Sequence, residues 1–335
     1  MQPRRIVMVV LGVSLAAVLL SCQKAFHEET ERYYFISANI TLPYWQEAQF
    51  GFQDAGRALG VKVEFKGPES YNPEDEVEAF RKAVQAHPAG IAVSPARPDL
   101  FRKEIDAAIQ AGIPVICVDS DAPESKRILF VGTDNFQAGM ESGRRMAELI
   151  HGKGRIALIT ITGQFNLDER KRGVEEALKK YPEVKITQDL NDKGDPRMAN
   201  DQISALLDSK DKKDQFDGIL CLEASGGPGA AEALHRLNLD GKYPIVAMDK
   251  NPETLDWISR GAISATVAQK SYTMAYYSLK LLDDLHHNVV HEFAKDWRTA
   301  PTSPLPTRVD TGTAVIDETN LADFQAATAT RAKPL

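Results

Sequence analysis

The 335-residue chain lacks the features that mark several common classes of protein. Its three cysteines show neither a disulfide framework nor the spacing of a zinc site. Cys117 and Cys221 each lie inside an apolar run, so we expect both to be buried free thiols. There is no block of Lys and Arg, and the formal net charge is −7, which argues against nucleic acid as a partner. A neutral or weakly charged ligand fits this composition better.

Catalytic, cofactor and metal motifs are missing as well. Residues 225–229, SGGPG, lack the Walker lysine and the dinucleotide glycine pattern, so a plain strand-to-helix turn is expected there. His286, His287 and His291 cluster near the end of a long helix, but no acid or cysteine spacing supports a metal, and a solvated helix end is the preferred interpretation. We therefore expect a protein that is not an enzyme and needs no cofactor and no metal.

The N-terminus has no apolar run long enough for a comfortable membrane span. Arg4 and Arg5 precede about fifteen apolar residues, the length of a signal h-region. The run leads into residues 19–22, LLSC, which resemble the lipobox of bacterial lipoproteins, in which the cysteine becomes the lipidated first residue. The alternative is an ordinary secretory signal in which Cys22 is incidental. Either way the protein is expected to be exported, with polar residues 23–32 as a flexible tether.

Strand and helix patterns alternate from Tyr33 onward, which is typical of a parallel α/β sheet. A first series of strands is expected at residues 33–39, 61–65, 90–93 and 113–118. Another strand at 128–133 follows too soon for a crossover helix and leads into a helix beginning at Asp134-Asn135. The chain is therefore expected to leave one sheet for another at this point.

A second series of strands follows with the same rhythm, which implies two similar lobes. Its strands are expected at residues 155–160, 184–189, 218–222, 245–248 and 262–269. A long helix at 271–287, a proline-rich stretch at 299–306 and a last strand near 314–316 complete the pattern.

Aromatic and polar side chains follow the predicted strands. Ligands of open α/β sheets collect outside the carboxyl ends of the strands, and Asp119 falls at such an end. Tyr44 and Trp45 follow the first strand; aromatic faces stack on sugar rings, while carboxylates, amides and guanidinium groups bind hydroxyls. Later strand ends supply Asp119, Ser120, Asn166, Arg170, Glu223, Asp249 and Gln269. Each alone is as readily a helix cap or a surface charge, but as a set they predict a polar ligand site.

At these residues the sequence resembles the type I periplasmic solute-binding proteins, in the ribose-binding branch of sugar-transporter receptors. The resemblance covers about residues 33–324. It rests on Ser37 followed by PYW, and on IPVICVDSDAP, GTDNFQAG, NLDER with Gly173, AMDKNPETLDWISRG, ATVAQ and RVDTGTAVI.

The resemblance implies two Rossmann-like lobes with parallel sheets flanked by helices, joined by three hinge crossings, with the ligand in the cleft. The expected boundaries are 1–22 for the signal, 23–32 for the tether, 33–134 plus 270–302 for the N-terminal lobe, 135–269 plus 303–324 for the C-terminal lobe, and 325–335 for a tail.

The resemblance also assigns roles to residues. Tyr44 and Trp45 would stack on the sugar, and the hydroxyl partners would be Asp119, Arg170, Asp249 and Gln269. Either Ser37 or Asn39 takes a further position, because the loop before Pro43 is one residue longer than in ribose-binding proteins. Glu223 stands where those proteins have asparagine, which leaves the identity of the sugar open.

The function expected from the sequence is that of a lipid-anchored receptor that hands a monosaccharide-like sugar or polyol to an ABC transporter permease. The alternative is a sensor that reports the ligand to a chemoreceptor or membrane kinase, since both use the same closed-cleft surface. With three acids, Asp119, Glu223 and Asp249, facing Arg170, a neutral or cationic ligand is expected.

Overall fold

The computed structural model describes residues 27–28, 30–288 and 305–331. The expected signal segment with Cys22 lies outside these residues, as does His291. Within the described ranges, no helix has the combined length and apolar character that crossing a bilayer requires.

The first lobe is built on a parallel sheet whose strands are short and buried. Its first part consists of β1 (Arg32–Ile36), α1 (Pro43–Leu59), β2 (Lys62–Lys66), α2 (Pro73–Gln85), β3 (Gly90–Val93), α3 (Pro98–Gln110), β4 (Val115–Val118) and β5 (Phe130–Gly132). The strand order β2-β1-β3-β4-β5 leaves helices to cover both faces. Proline begins each of these three helices, where its missing N–H costs no hydrogen bond.

The second lobe repeats this arrangement. It consists of α4 (Asn135–Leu149), β6 (Lys153–Thr160), α5 (Phe165–Leu178), β7 (Glu183–Asn191), α6 (Pro196–Asp208), a 3₁₀ turn (Lys212–Asp214), β8 (Gly218–Cys221), α7 (Gly226–Arg236), β9 (Ile245–Met248), α8 (Pro252–Ser259) and β10 (Ala265–Ala268). Asp134 caps α4 by accepting a hydrogen bond from the N–H of Gln137 at 3.0 Å, as expected from the sequence. Strand order is β7-β6-β8-β9-β10.

The chain then returns to both lobes. It continues as α9 (Ser271–His287), β11 (Arg308–Asp310), β12 (Ala314–Asp317) and α10 (Leu321–Arg331). Helix α9 packs on α1 of the first lobe, where a Cβ on Gly51 would lie 2.2 Å from the carbonyl oxygen of Tyr272. Strand β11 pairs with β5 in the first sheet, and β12 pairs antiparallel with β10 in the second. The chain therefore crosses between lobes three times within the described residues.

Three of the expected boundaries need correction. Residues 303–324 were all expected in the second lobe, but Arg308–Asp310 belongs to the first sheet. This edge strand has three residues and little burial, so it lacks the apolar run that marks a strand in a sequence. Helix α10 continues past residue 324 into the expected tail. The expected tether is shorter than 23–32, because Arg32 begins β1 and Glu31 is buried.

The two buried cysteines lie in different sheets. Cys117 is in β4 of the first lobe and Cys221 is in β8 of the second, and both are free thiols. This confirms the expectation of buried free thiols and excludes a bond between them.

Candidate functional site

A cavity of about 70 Å³ lies between the two lobes, at the carboxyl ends of the strands. The predicted ligand residues that line it are Asn39, Tyr44, Trp45, Asp119, Ser120, Asn166, Arg170, Glu223, Asp249 and Gln269. Ser37 is the one predicted residue that does not line it. The structure thus brings together side chains as far apart in the sequence as Asn39 and Gln269.

Asp119 occupies the end of β4 and connects the two lobes. Its backbone N–H donates to the carbonyl oxygen of Val131 at 3.0 Å. Its Oδ1 accepts from the hydroxyl of Tyr44 at 2.5 Å, and its Oδ2 accepts from Nδ2 of Asn166 at 3.3 Å. Burial raises the pKa of Asp119, and the charge of Arg170 and the Tyr44 hydrogen bond offset part of that rise.

Asp249 occupies the corresponding place after β9 of the second lobe. Its N–H donates to the carbonyl oxygen of Val267 at 2.9 Å, and its Oδ1 accepts from Nε2 of Gln269 at 2.9 Å. Burial raises the pKa of Asp249 to about 6, against the opposing effect of Arg170. Both aspartates have a positive φ, 65° for Asp119 and 70° for Asp249, a conformation that aspartate tolerates better than most residues.

Arg170 is fully buried on α5 and is held in one orientation by three acceptors. Its Nε donates to Oδ1 of Asn135 at 2.8 Å, and its two terminal nitrogens donate to the carbonyl oxygen of Leu222 and to Oε1 of Gln269, each at 2.7 Å. Gln269 therefore joins Arg170 to Asp249. A rigid guanidinium group between two carboxylates is an arrangement that binds ligand hydroxyls in a fixed geometry.

Two glycines set the position of Arg170 by letting α4 and α5 approach closely. A Cβ on Gly139 would lie 1.9 Å from the carbonyl oxygen of Arg170, and a Cβ on Gly173 would lie 2.0 Å from that of Phe136. No side chain fits at either distance, so both positions require glycine. These are the glycines of the GTDNFQAG motif and of the segment after NLDER.

Tyr44 and Trp45 are both cleft and core residues. They lie in the first turn of α1, with their rings 5.0 Å apart and perpendicular. Trp45 also packs edge to face on Phe35 of β1, with ring centroids 6.3 Å apart. Trp45 is 7% exposed, so it contributes to the core of the first lobe as well as to the cavity wall.

The choice between Ser37 and Asn39 follows from the loop after β1. Ser37 is fully buried, and its hydroxyl donates to the carbonyl oxygen of Asn39 at 3.0 Å. Asn39 lines the cavity, while its Oδ1 accepts from the backbone N–H groups of Thr41 and Leu42. The Ser37 hydroxyl therefore forms its hydrogen bond within its own loop, and the geometry favours Asn39 as the cleft residue.

Glu223 lines the cavity but also caps α7. Its Oε2 accepts from the N–H of Ser225 at 2.6 Å, and its Oε1 accepts from the N–H of Gly226. The fully buried Asp192 lies beside it, and burial together with the charge of Glu223 raises the pKa of Asp192. The two buried carboxyl groups therefore form a pair that favours retention of one proton. Residues 225–229 form the plain strand-to-helix turn expected from the sequence.

Contacts across the cleft hold the lobes against each other. Lys250 of the second lobe forms an ion pair with Glu47 of α1. Within the first lobe, the hydroxyl of Ser271 at the start of α9 also donates to Glu47, at 2.6 Å. Tyr71 of the first lobe packs against the apolar core beside β6. With the bond from Asn166 to Asp119, these contacts define a closed arrangement of the lobes.

Three further polar side chains at the cavity were not predicted from the sequence: Ser94, Tyr71 and Gln164. Ser94 directly follows β3. The expectation that ligand residues follow the carboxyl ends of strands, which identified Asp119, therefore applies to Ser94 as well. Tyr71 and Gln164 lie in connecting segments and carry no periodic signal. Ser120, which was predicted, has a buried hydroxyl without a hydrogen-bond partner among the described residues.

Comparison with known proteins agrees with this architecture. The family model described as a periplasmic binding protein domain matches residues 33–287, well over half of the chain. The chain belongs to the type I periplasmic sugar-binding proteins. Membership in this family implies an exported protein.

Individual relatives and solved structures of the family extend the comparison. The chain is 34% identical to a solved sugar-binding protein of a sugar ABC transporter from Bacillus halodurans, covering 88% of this chain and 100% of that one, with a TM-score of 0.76. It is 35% identical to the solved arabinose-binding protein AraP from Geobacillus stearothermophilus, covering 88% and 99%, with a TM-score of 0.71. It is 24% identical to the D-allose-binding periplasmic protein of Escherichia coli, covering 75% of this chain and 83% of that protein.

Proposed function

We propose that this binding protein captures a single neutral or amino monosaccharide, or a related polyol, in the interlobe cleft and delivers it to an ABC transporter permease. The observation that carries the proposal is the set formed by Asp119, Arg170, Gln269 and Asp249, in which carboxylates from both lobes flank one rigid guanidinium group. Each is buried at the cavity wall, where a hydroxyl-rich ring would replace water as hydrogen-bond partner.

The size and charge of the cavity restrict the ligand. The cavity lies between two lobes that contact each other across the cleft, so a single sugar unit fits the closed arrangement better than an extended oligosaccharide. Asp119, Asp249 and the pair of Asp192 and Glu223 outweigh the single positive charge of Arg170. Excess negative charge in a buried site repels anions, so sugar acids and sugar phosphates should bind poorly.

Relatives support the transport role. The solved protein from Bacillus halodurans is named for a sugar ABC transporter, and others are named for arabinose or D-allose. The alternative of a sugar sensor is not favoured by these names. We further propose that lipid on Cys22 anchors the exported protein to the membrane, as the LLSC sequence indicates.

A thermal-shift panel tests the ligand class. The full chain purified in detergent would be screened with pentoses, hexoses, polyols, amino sugars, sugar acids and sugar phosphates. We expect the largest rise in Tm from a neutral or amino monosaccharide, since a ligand that binds only the folded state raises stability by mass action. The proposal would be contradicted if a sugar acid or sugar phosphate gave the largest rise in Tm, or if no compound of the panel raised the Tm.

A further inference from the structure

Four side chains of metal-ligand type converge on the face of the first lobe opposite the cleft. They are His27, Glu31, Asp283 and His287, and one ligand atom from each lies within 4.8 Å of the others. Nε2 of His27 is 2.9 Å from Oδ1 of Asp283, and Nε2 of His287 is 3.0 Å from Oε1 of Glu31 and 3.6 Å from Oδ1 of Asp283. The cluster is partly to fully buried.

Two distant segments supply these groups. His27 and Glu31 precede β1, whereas Asp283 and His287 lie one turn apart near the end of α9, and therefore on one face of that helix. Because β1 runs toward the cleft, the residues before it lie at the far edge of the sheet. The cluster is therefore separate from the sugar site.

A buried tyrosine orients both carboxylates. The hydroxyl of Tyr33 donates to Oε1 of Glu31 at 2.7 Å and to Oδ1 of Asp283 at 3.2 Å. Such outer partners fix the direction of ligand groups in metal sites.

The location also favours a cation on electrostatic grounds. The end of α9 carries the negative end of the helix dipole, to which Glu31 and Asp283 add two carboxylates. A bound divalent ion would neutralise this concentration of negative charge.

We propose that His27, Glu31, Asp283 and His287 form a structural zinc site that fastens the N-terminal segment to the end of α9. Two imidazoles and two carboxylates match the ligands and the coordination number that zinc prefers. Zinc bonds of about 2.0–2.2 Å in a tetrahedron place ligand atoms about 3.3–3.6 Å apart. The observed separations of 2.9, 3.0 and 3.6 Å lie close to that range. Small side-chain rotations would bring the other pairs of ligand atoms to similar distances.

Metal titration of the full chain in detergent tests this site. Protein stripped with EDTA would be titrated with ZnCl₂ by calorimetry, desalted and assayed for metal by mass spectrometry. We expect one zinc per chain, and a rise in Tm of about 5 °C when free zinc exceeds Kd a hundredfold. CaCl₂ should give no comparable binding, because calcium prefers six to eight oxygen ligands. Absence of stoichiometric zinc, or tighter binding of calcium, would overturn the site.

Matched variants identify the ligands. His27→Asn and His287→Asn should each weaken zinc binding at least tenfold, whereas His286→Asn, at an exposed neighbour on α9, should retain it. His27 lies before the first strand, so His27→Asn should keep the metal-free Tm within a few degrees of that of the parent. Zinc binding that survives His27→Asn and His287→Asn together, or that is lost equally in His286→Asn, would show that the four groups form only a hydrogen-bonded cluster.

Discussion

Asp119 and Asp249 occupy equivalent positions in the two lobes. Each follows the fourth strand of its lobe, each has a φ between 65° and 70°, and each donates its N–H to the neighbouring fifth strand. A left-handed non-glycine residue costs on the order of 1–3 kcal/mol and is concentrated at ligand sites. The repeated βα series of the sequence therefore produces paired acids that face each other across Arg170.

The pKa of Asp249 makes stability depend on pH. Its ordinary value is 3.8 and burial raises it to about 6, so the folded protein binds this proton more readily than the unfolded chain. This group's contribution to the free energy of unfolding is therefore full below about pH 4 and is lost as pH rises to about 6. Asp249→Asn should remove that decline and stabilise the sugar-free protein at pH 7 by up to about 3 kcal/mol.

Urea unfolding of both proteins between pH 4 and pH 7 measures this effect. As a control, Asp256→Asn removes an exposed carboxylate of α8 paired with Arg260 and should change stability by less than about 1 kcal/mol. If the free energy of unfolding depended on pH in the same way for Asp249→Asn and the parent protein, the assigned pKa would be contradicted.

Gly139→Ala should weaken sugar binding without touching the cavity. The added Cβ would collide with the carbonyl oxygen of Arg170, so α5 must shift and move the guanidinium group away from Gln269. A loss of at least tenfold in affinity is expected, since displacements of an ångström already disrupt oriented contacts. Gly143→Ala, one turn further along α4, would place its Cβ 3.0 Å from the backbone of Val174, a milder clash with α5, so it should weaken sugar binding less and serves as the graded comparison. Equal affinities for the two variants, measured by calorimetry, would rule out this positioning role.

Trp45→Ala should lower both affinity and stability. Loss of stacking corresponds to about ten- to a hundredfold in Kd, and truncation of a buried tryptophan costs about 3–5 kcal/mol. Trp257 is 5% exposed in the core of the second lobe and does not line the cavity, so Trp257→Ala should lose stability alone. Thermal melts and calorimetry on both variants separate the effects. An unchanged Kd in Trp45→Ala would assign that ring to the core only.

Cys22→Ala should release the protein from the membrane or stall its processing. The polar residues after Cys22 offer no basic or amphipathic surface that would hold a bilayer. Fractionation of cells expressing the variant measures this, with Cys117→Ala, which changes a buried thiol of β4, as the control. Mature Cys22→Ala protein that still sediments with membranes would refute the lipid anchor.

The sequence predicted the cleft residues better than the edges of the lobes. Asp119 and Asp249 were found because buried strands are recognisable and their carboxyl ends converge. The role of Ser37 could not be predicted, because its hydroxyl bonds within a loop whose conformation the sequence does not reveal. The contact of His27 with Asp283 joins residues 256 positions apart by polar groups, which leave no periodic pattern. The short strand β11 was not predicted either, because its largely exposed residues show no apolar pattern.

Calorimetric titration of the parent protein and Asp119→Asn with the best sugar tests the central claim most directly. Asp119 bonds to Tyr44 of its own lobe and to Asn166 of the other, so its charge acts where the lobes meet the ligand. A charge-assisted hydrogen bond contributes about 1.5–3 kcal/mol, so we expect one site per chain and a Kd about ten- to a hundredfold weaker in Asp119→Asn. An unchanged Kd in a folded Asp119→Asn protein would contradict sugar binding in this cleft.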